Sequence, residues 1–117
     1  MAAATKNIVF EQGAAFRLRL RWLDKNRKPV NLTGYTAKMQ VRLLASPSSP
    51  VLVEASTLNG RIALGGAQGT IEFDIPEAVM TALTFIDAYY DLVLSDAALV
   101  PRRFLQGTVR VSPGVTQ

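Results

Sequence analysis

Two pairs of carboxylates are the residues of this 117-residue chain best spaced to do chemistry. Glu72 and Asp74 stand two apart in the run Thr70-Ile71-Glu72-Phe73-Asp74-Ile75, and a period of two puts both on one face of a strand. Acids so placed can share a proton, hold a cation or flank a scissile bond. Asp87 and Asp91 form a second pair. Neither has the dense oxygen spacing of a calcium loop, so both read as solvent-facing acids. Ser56, Thr81 and Ser95 offer hydroxyls, but the chain has zero His and zero Cys. Those two zeros remove Ser-His-Asp and Cys-His nucleophiles, thiolate zinc sites, disulfides and the histidine pH switch. Gly65-Gly66-Ala67-Gln68-Gly69 lacks the lysine and helix start of a phosphate-binding loop and reads as a hairpin turn. The chain is expected to be a non-enzyme, with no catalytic residue, cofactor or metal site.

The elements that carry these residues alternate with a period of two. Phe16, Leu18, Leu20 and Trp22 share one phase and Arg17, Arg19 and Arg21 the other, which reads as a half-buried strand with an arginine stripe in water. The same grammar puts Ala37, Met39, Val41 and Leu43 inward, opposite Thr36, Lys38, Gln40 and Arg42. It recurs at Ile71, Phe73 and Ile75, at Tyr90, Leu92 and Leu94, and at Leu105, Val109 and Val111. Gly107 falls within the last set, where a bulge or a close backbone approach fits. Asp24-Lys25-Asn26-Arg27, Asn31-Leu32-Thr33-Gly34 and Gly65–Gly69 are turn signals. Asn59-Gly60 predicts a two-residue hairpin of type I′. Ser46–Pro50 reads as an exposed loop. Pro76-Glu77 opens the one helical segment, with Val79 and Leu83 on one face. The pattern predicts an all-β protein, a single immunoglobulin-like antiparallel β-sandwich of about eight strands with one short helix. Residues 1–117 form one domain, with 1–5 as a flexible N-terminal tail. Asp87-Ala88-Tyr89 has a short likeness to the tyrosine corner of such sandwiches.

With 49% hydrophobic and 19% charged residues, the composition excludes a disordered tail, a collagen and a coiled coil. The start of the chain lacks the features of a signal peptide. The most apolar stretch, 82–100, contains Asp87, Asp91 and Asp96, three carboxylates that would cost ~7–10 kcal/mol in a bilayer. A soluble protein made in a cytoplasm, with no membrane insertion, is expected. The net charge of +4 is unevenly spread: residues 1–42 carry +7, residues 43–99 carry −6 and residues 100–117 carry +3. Arg17, Arg19, Arg21, Lys38 and Arg42 are therefore the candidate docking face. Such a face can steer docking between copies of the chain or onto a neighbouring subunit. It can also bind nucleic acid through phosphates, although no aromatics lie among the arginines. Simple pairing of the arginines with Glu72 and Asp74 opposite is the plainest reading. A carbohydrate-binding sandwich needs exposed aromatics, for which Tyr35 and Tyr89 are the candidates.

Three stretches resemble small phage and prophage structural proteins. The first is Glu11-Gln12-Gly13, Phe16-Arg17-Leu18 and Trp22-Leu23-Asp24, followed by Pro29 through Ala37 and Val41-Arg42. The second is Gly60 through Leu64 with Gly69-Thr70-Ile71. The third runs from Tyr89-Tyr90-Asp91-Leu92 to Leu105-Gln106-Gly107-Thr108-Val109 and Val111 through Thr116. The chain is also similar to the N-terminal sandwich of phage baseplate upper proteins. The resemblance implies a virion component of the tail, baseplate, collar or capsid surface, acting by assembly with other phage structural proteins and present in several copies. It brings no catalytic residues. The chain ends where the sandwich ends, which on this reading favours an adaptor, collar or decoration role over host recognition.

Overall fold

Alternating side chains need a second layer to cover their apolar face, and the chain supplies it by folding its strands into two sheets. The computed structural model describes residues 4–113. In chain order the strands are β1 (Ala4–Thr5), β2 (Ile8–Glu11), β3 (Phe16–Arg21), β4 (Thr36–Arg42), β5 (Val51–Ser56), β6 (Ile62–Leu64), β7 (Thr70–Ile75), β8 (Asp87–Ser95) and β9 (Pro101–Ser112). A short helix, α1 (Glu77–Thr81), lies between β7 and β8. One sheet runs β1-β9-β8-β4-β5, with β2 also on β9, and the other runs β3-β7-β6. This is the immunoglobulin-like order, with β3, β7 and β6 in the B, E and D places and β5, β4, β8 and β9 in the C′, C, F and G places.

The core lies between the sheets. Phe10, Met39, Val41, Ile71, Ile75, Leu92 and Val109 are buried from both layers, and each such side chain contributes about 1.5–3 kcal/mol on leaving water. Phe16 meets Phe10 edge-on at 4.8 Å and Phe73 at 6.3 Å, which joins the layers near one end. At another point Trp22 meets Phe104 at a tilt of 56°, with ring centroids 5.0 Å apart. Phe104 reaches it because the β8–β9 register shifts between Leu92 and Val93, which pair with Leu105 and Arg103. The inward residues of β3 (Phe16, Leu18 and Leu20) are only half-buried.

Several local expectations change. Ala4 and Thr5 pair with Leu105 and Gln106, so the start of the described chain is a strand and not a free tail, and Met1–Ala3 lie outside the described residues. Both β1 and β2 run parallel to β9, so the sandwich is not wholly antiparallel. A parallel partner for β9 is possible because 80-odd residues of intervening sandwich form the crossover that parallel pairing requires. Asn59-Gly60 does turn, with Gly60 at φ 79°, but Asn59 is not left-handed as a type I′ turn demands. The pair carries the chain from β5 in one sheet to β6 in the other. The Asn59 side chain organises that corner: its Oδ1 accepts the N–H groups of Ser56 at 2.9 Å and Arg61 at 3.1 Å. The Gly65–Gly69 turn closes the β6–β7 hairpin as expected, through a 3-10 turn at Gly66–Gln68. Leu43 falls beyond the end of β4 and is exposed. In α1 the fully buried residue is Met80, while Val79 is half-buried and Leu83 packs from beyond the helix end. Ser49 is buried within the Ser46–Pro50 loop, where its Oγ accepts the Leu44 N–H and its carbonyl accepts from Arg42.

Candidate functional site

Position along a strand decides whether a charged side chain faces the core or the outside, and the sheet that the strand joins decides which outer surface it reaches. Arg17, Arg19 and Arg21 point outward from β3, and each lies beside a residue of β7 in strict register: Asp74, Glu72 and Thr70. The Arg17 Nε sits 3.5 Å from Asp74 and the Arg19 Nε 3.2 Å from Glu72. The Arg21 Nε donates to the Gln68 carbonyl at 3.1 Å. Glu72 and Asp74 thus face one way, as their spacing predicts, but each is bound to an arginine and not to the other. Such exposed cross-strand pairs contribute ~0.2–1 kcal/mol each. Arg61 borders this surface, with one terminal nitrogen donating to the Glu54 carbonyl at 2.9 Å, so with Arg21 four arginines lie on or beside the outer face of the three-stranded sheet against Glu72 and Asp74.

Lys38 and Arg42 are on β4, which belongs to the other sheet, and they point away from the core on the opposite side of the sandwich. The five residues of the candidate docking face therefore do not form one surface. Arg42 is held by its own neighbours: one terminal nitrogen donates to Gln40 Oε1 at 2.8 Å and the other to the Ser49 carbonyl. Gln40 Nε2 in turn donates to Glu54 Oε1 at 2.8 Å. Asp87 and Asp91 also face outward from this sheet, and β9 supplies a partner to each. Arg110 Nε lies 3.1 Å from Asp87, and Arg103 Nε 3.4 Å from Asp91.

A groove of about 510 Å³ crosses this outer face between the β4–β5 loop and the N-terminal strands. Its floor includes Gln40, Asp91 and Gln106, with Tyr89 and Pro47 along its sides. Tyr89 is 45% exposed there, whereas Tyr35 packs against the core and offers no platform. The inner tyrosine of the pair is Tyr90. Its hydroxyl donates to the Lys6 carbonyl at 2.6 Å, between β1 and β2, so it staples the N-terminal segment to the sheet. Burial pushes the Tyr90 hydroxyl up to about 12 from 10.0.

Gly107 lies opposite Tyr90, and a Cβ on it would collide with the Lys6 carbonyl oxygen, which is the close backbone approach its position in the strand predicts. Sequence reasoning missed one feature of this architecture. Immunoglobulin-like sandwiches place a first strand beside B, but here β1 and β2 both go to β9, and β3 is left at a sheet edge. Nothing in the alternation of residues 4–11 distinguishes the two sheets. Among the described residues, no group of three or more metal-ligating side chains comes together, and no helix is long and apolar enough to cross a membrane.

No family model matches the chain, and no curated protein does. Among solved structures, it is similar to extracellular domains 3-5 of Drosophila OTK at 17% identity and a TM-score of 0.37. That alignment covers 97% of this chain and 33% of the Drosophila one, so the chain spans about a third of that structure.

Proposed function

We propose that this protein is a non-enzymatic docking module that works as a phage virion structural subunit at a tail, baseplate, collar or capsid surface. The observation that carries the docking reading is the edge of β3: a six-residue strand with alternating arginine and apolar residues and no strand on its far side among the described residues. Unpaired edges are where a second chain adds a strand. The phage assignment rests on the three resembling stretches of sequence. Its partners are other virion proteins, it acts in several copies, and it is assembled in the host cytoplasm. The carboxylates that a reaction would need are committed to arginines, which favours a structural over a catalytic role.

Peptide mass spectrometry on density-purified particles tests this. The chain is expected at a reproducible ratio to the major capsid protein, and its absence from intact particles while abundant in the lysate overturns the virion assignment. The nucleic-acid reading is weaker, because Lys38 and Arg42 lie on the opposite sheet from Arg17, Arg19 and Arg21, so the basic residues do not form one continuous face. It requires DNA or RNA affinity at about 50 mM salt that falls steeply as salt rises.

A further inference from the structure

We propose that the open edge of β3 accepts an extended protein segment in which acidic and apolar residues alternate, adding a fourth strand to the three-stranded sheet. The proposal rests on the docking reading and names the partner's chemistry.

The ladder fixes which backbone groups are available. The N–H of Trp22, the residue after β3, donates to the Gly69 carbonyl at 2.8 Å, so Trp22 points its backbone toward the β7 side. Antiparallel ladders alternate bonded and non-bonded pairs, so Leu20, Leu18 and Phe16 do the same. The β7 side agrees: the Asp74 N–H donates at 2.8 Å to the Arg61 carbonyl, away from β3, so Arg17–Asp74 is a non-bonded pair. The N–H and C=O groups of Arg17, Arg19 and Arg21 therefore all point to the open edge. An arriving strand finds three donors and three acceptors at the spacing of a ladder.

Side chains select what arrives. Residues that pair with Arg17, Arg19 and Arg21 lie on the outer face, where these three arginines stand against two acids of β7, Glu72 and Asp74. The contacts of all three β3 arginines run through Nε, and a guanidinium has five N–H donors, so each can take a further carboxylate. Intervening residues of the arriving strand fall over Phe16, Leu18 and Leu20, which β7 leaves half-covered, so those residues are apolar. A second copy presenting its own β3 would set arginine against arginine, which is unfavourable across a ladder. The chain's own Ala4 and Thr5 carry no acid and already pair with β9. Nucleic acid would meet the guanidinium groups but leave the backbone ladder and the apolar inner positions unused.

The test uses the whole chain and a short peptide of alternating valine and glutamate, with a valine–lysine peptide as its counterpart. Binding is read by fluorescence anisotropy, and the site by amide hydrogen exchange. The glutamate peptide is expected to bind about tenfold tighter than the lysine one and to slow exchange at the Arg17, Arg19 and Arg21 amides. Arg19→Pro removes a donor that faces the open edge, where a strand tolerates proline, and is expected to abolish binding. Arg21→Glu has no acid opposite it on β7 and is expected to weaken binding about tenfold while the fold persists. Equal binding of the two peptides overturns the proposal, as does protection confined to the groove on the other sheet. Tighter binding of a single-stranded oligonucleotide at the same amides also overturns it, as does self-association that Arg19→Pro abolishes. Failure to bind by a chain that is nonetheless present in particles removes this inference and leaves the virion reading standing.

Discussion

Replacing Gly107 by alanine tests the junction that ties the start of the chain to its last strand. The added Cβ would overlap the Lys6 carbonyl oxygen, lie 2.8 Å from the Lys6 carbonyl carbon and lie 3.1 Å from Asn7 Oδ1. All three atoms belong to the turn between β1 and β2, so relief requires that segment to lift. Lifting strains or breaks three hydrogen bonds: Lys6 N–H to the Gln106 carbonyl at 2.9 Å, Thr108 N–H to Asn7 Oδ1 at 3.2 Å, and the Tyr90 hydroxyl to the Lys6 carbonyl at 2.6 Å. Each is worth about 1 kcal/mol net, and alanine recovers about 0.5–1 kcal/mol over glycine within a strand. The expected loss is about 2–3 kcal/mol, within the usual range for overpacking. Urea unfolding followed by the fluorescence of the single tryptophan, Trp22, reads it directly. The midpoint of thermal unfolding should fall by roughly 10 °C for a chain of this size. Tyr90→Phe acts on the same carbonyl, so the double variant should cost less than the two single changes added together. A loss under about 0.5 kcal/mol for Gly107→Ala, or strict additivity with Tyr90→Phe, would refute the account of this junction.

The remaining expectations concern burial, backbone strain and pH. The raised Tyr90 hydroxyl favours the folded state fully below pH 10.0, and that contribution is lost as pH climbs toward about 12. Alkaline unfolding monitored with phenolate absorbance should show this loss, about 1–2 kcal/mol after allowance for nearby solvent, and Tyr90→Phe should abolish it. Leu99 sits in the left-handed region at φ 63° with 76% of its surface exposed, so Leu99→Gly should raise stability by about 0.5–1 kcal/mol in chemical denaturation. Phe10→Ala empties a fully buried site against Phe16 and should cost about 3–5 kcal/mol, read the same way.

Alternation made much of this protein readable. Inward and outward residues separate correctly at Ala37–Arg42, Ile71–Ile75 and Tyr90–Leu94, because a period of two leaves no choice once one face is buried. Pairing of Arg17 and Arg19 with Asp74 and Glu72 was legible for the same reason. A period of two says which face a residue takes but not which sheet its strand joins. Arg19 and Lys38 therefore look equivalent in sequence and end on opposite sides of the molecule. Asn59-Gly60 misleads similarly, since a turn signal does not say whether the next strand returns beside the last one. The open edge of β3 was hidden because it follows from where β1 and β2 go, a choice made by Gly107 and Tyr90 about a hundred residues further on.

That pairing also constrains the order of folding. Asn7 and Thr108 are joined across 101 residues, and β2 has no partner in the described fold other than β9. During synthesis the first strands emerge long before the strand they bind, so they wait unpaired while β3, β4 and the hairpins assemble. Contacts of such sequence separation form slowly and expose strand edges in the meantime. A chain truncated before Pro101 would retain every strand of the smaller sheet and yet leave Ile8 and Phe10 without the β9 ladder that holds them.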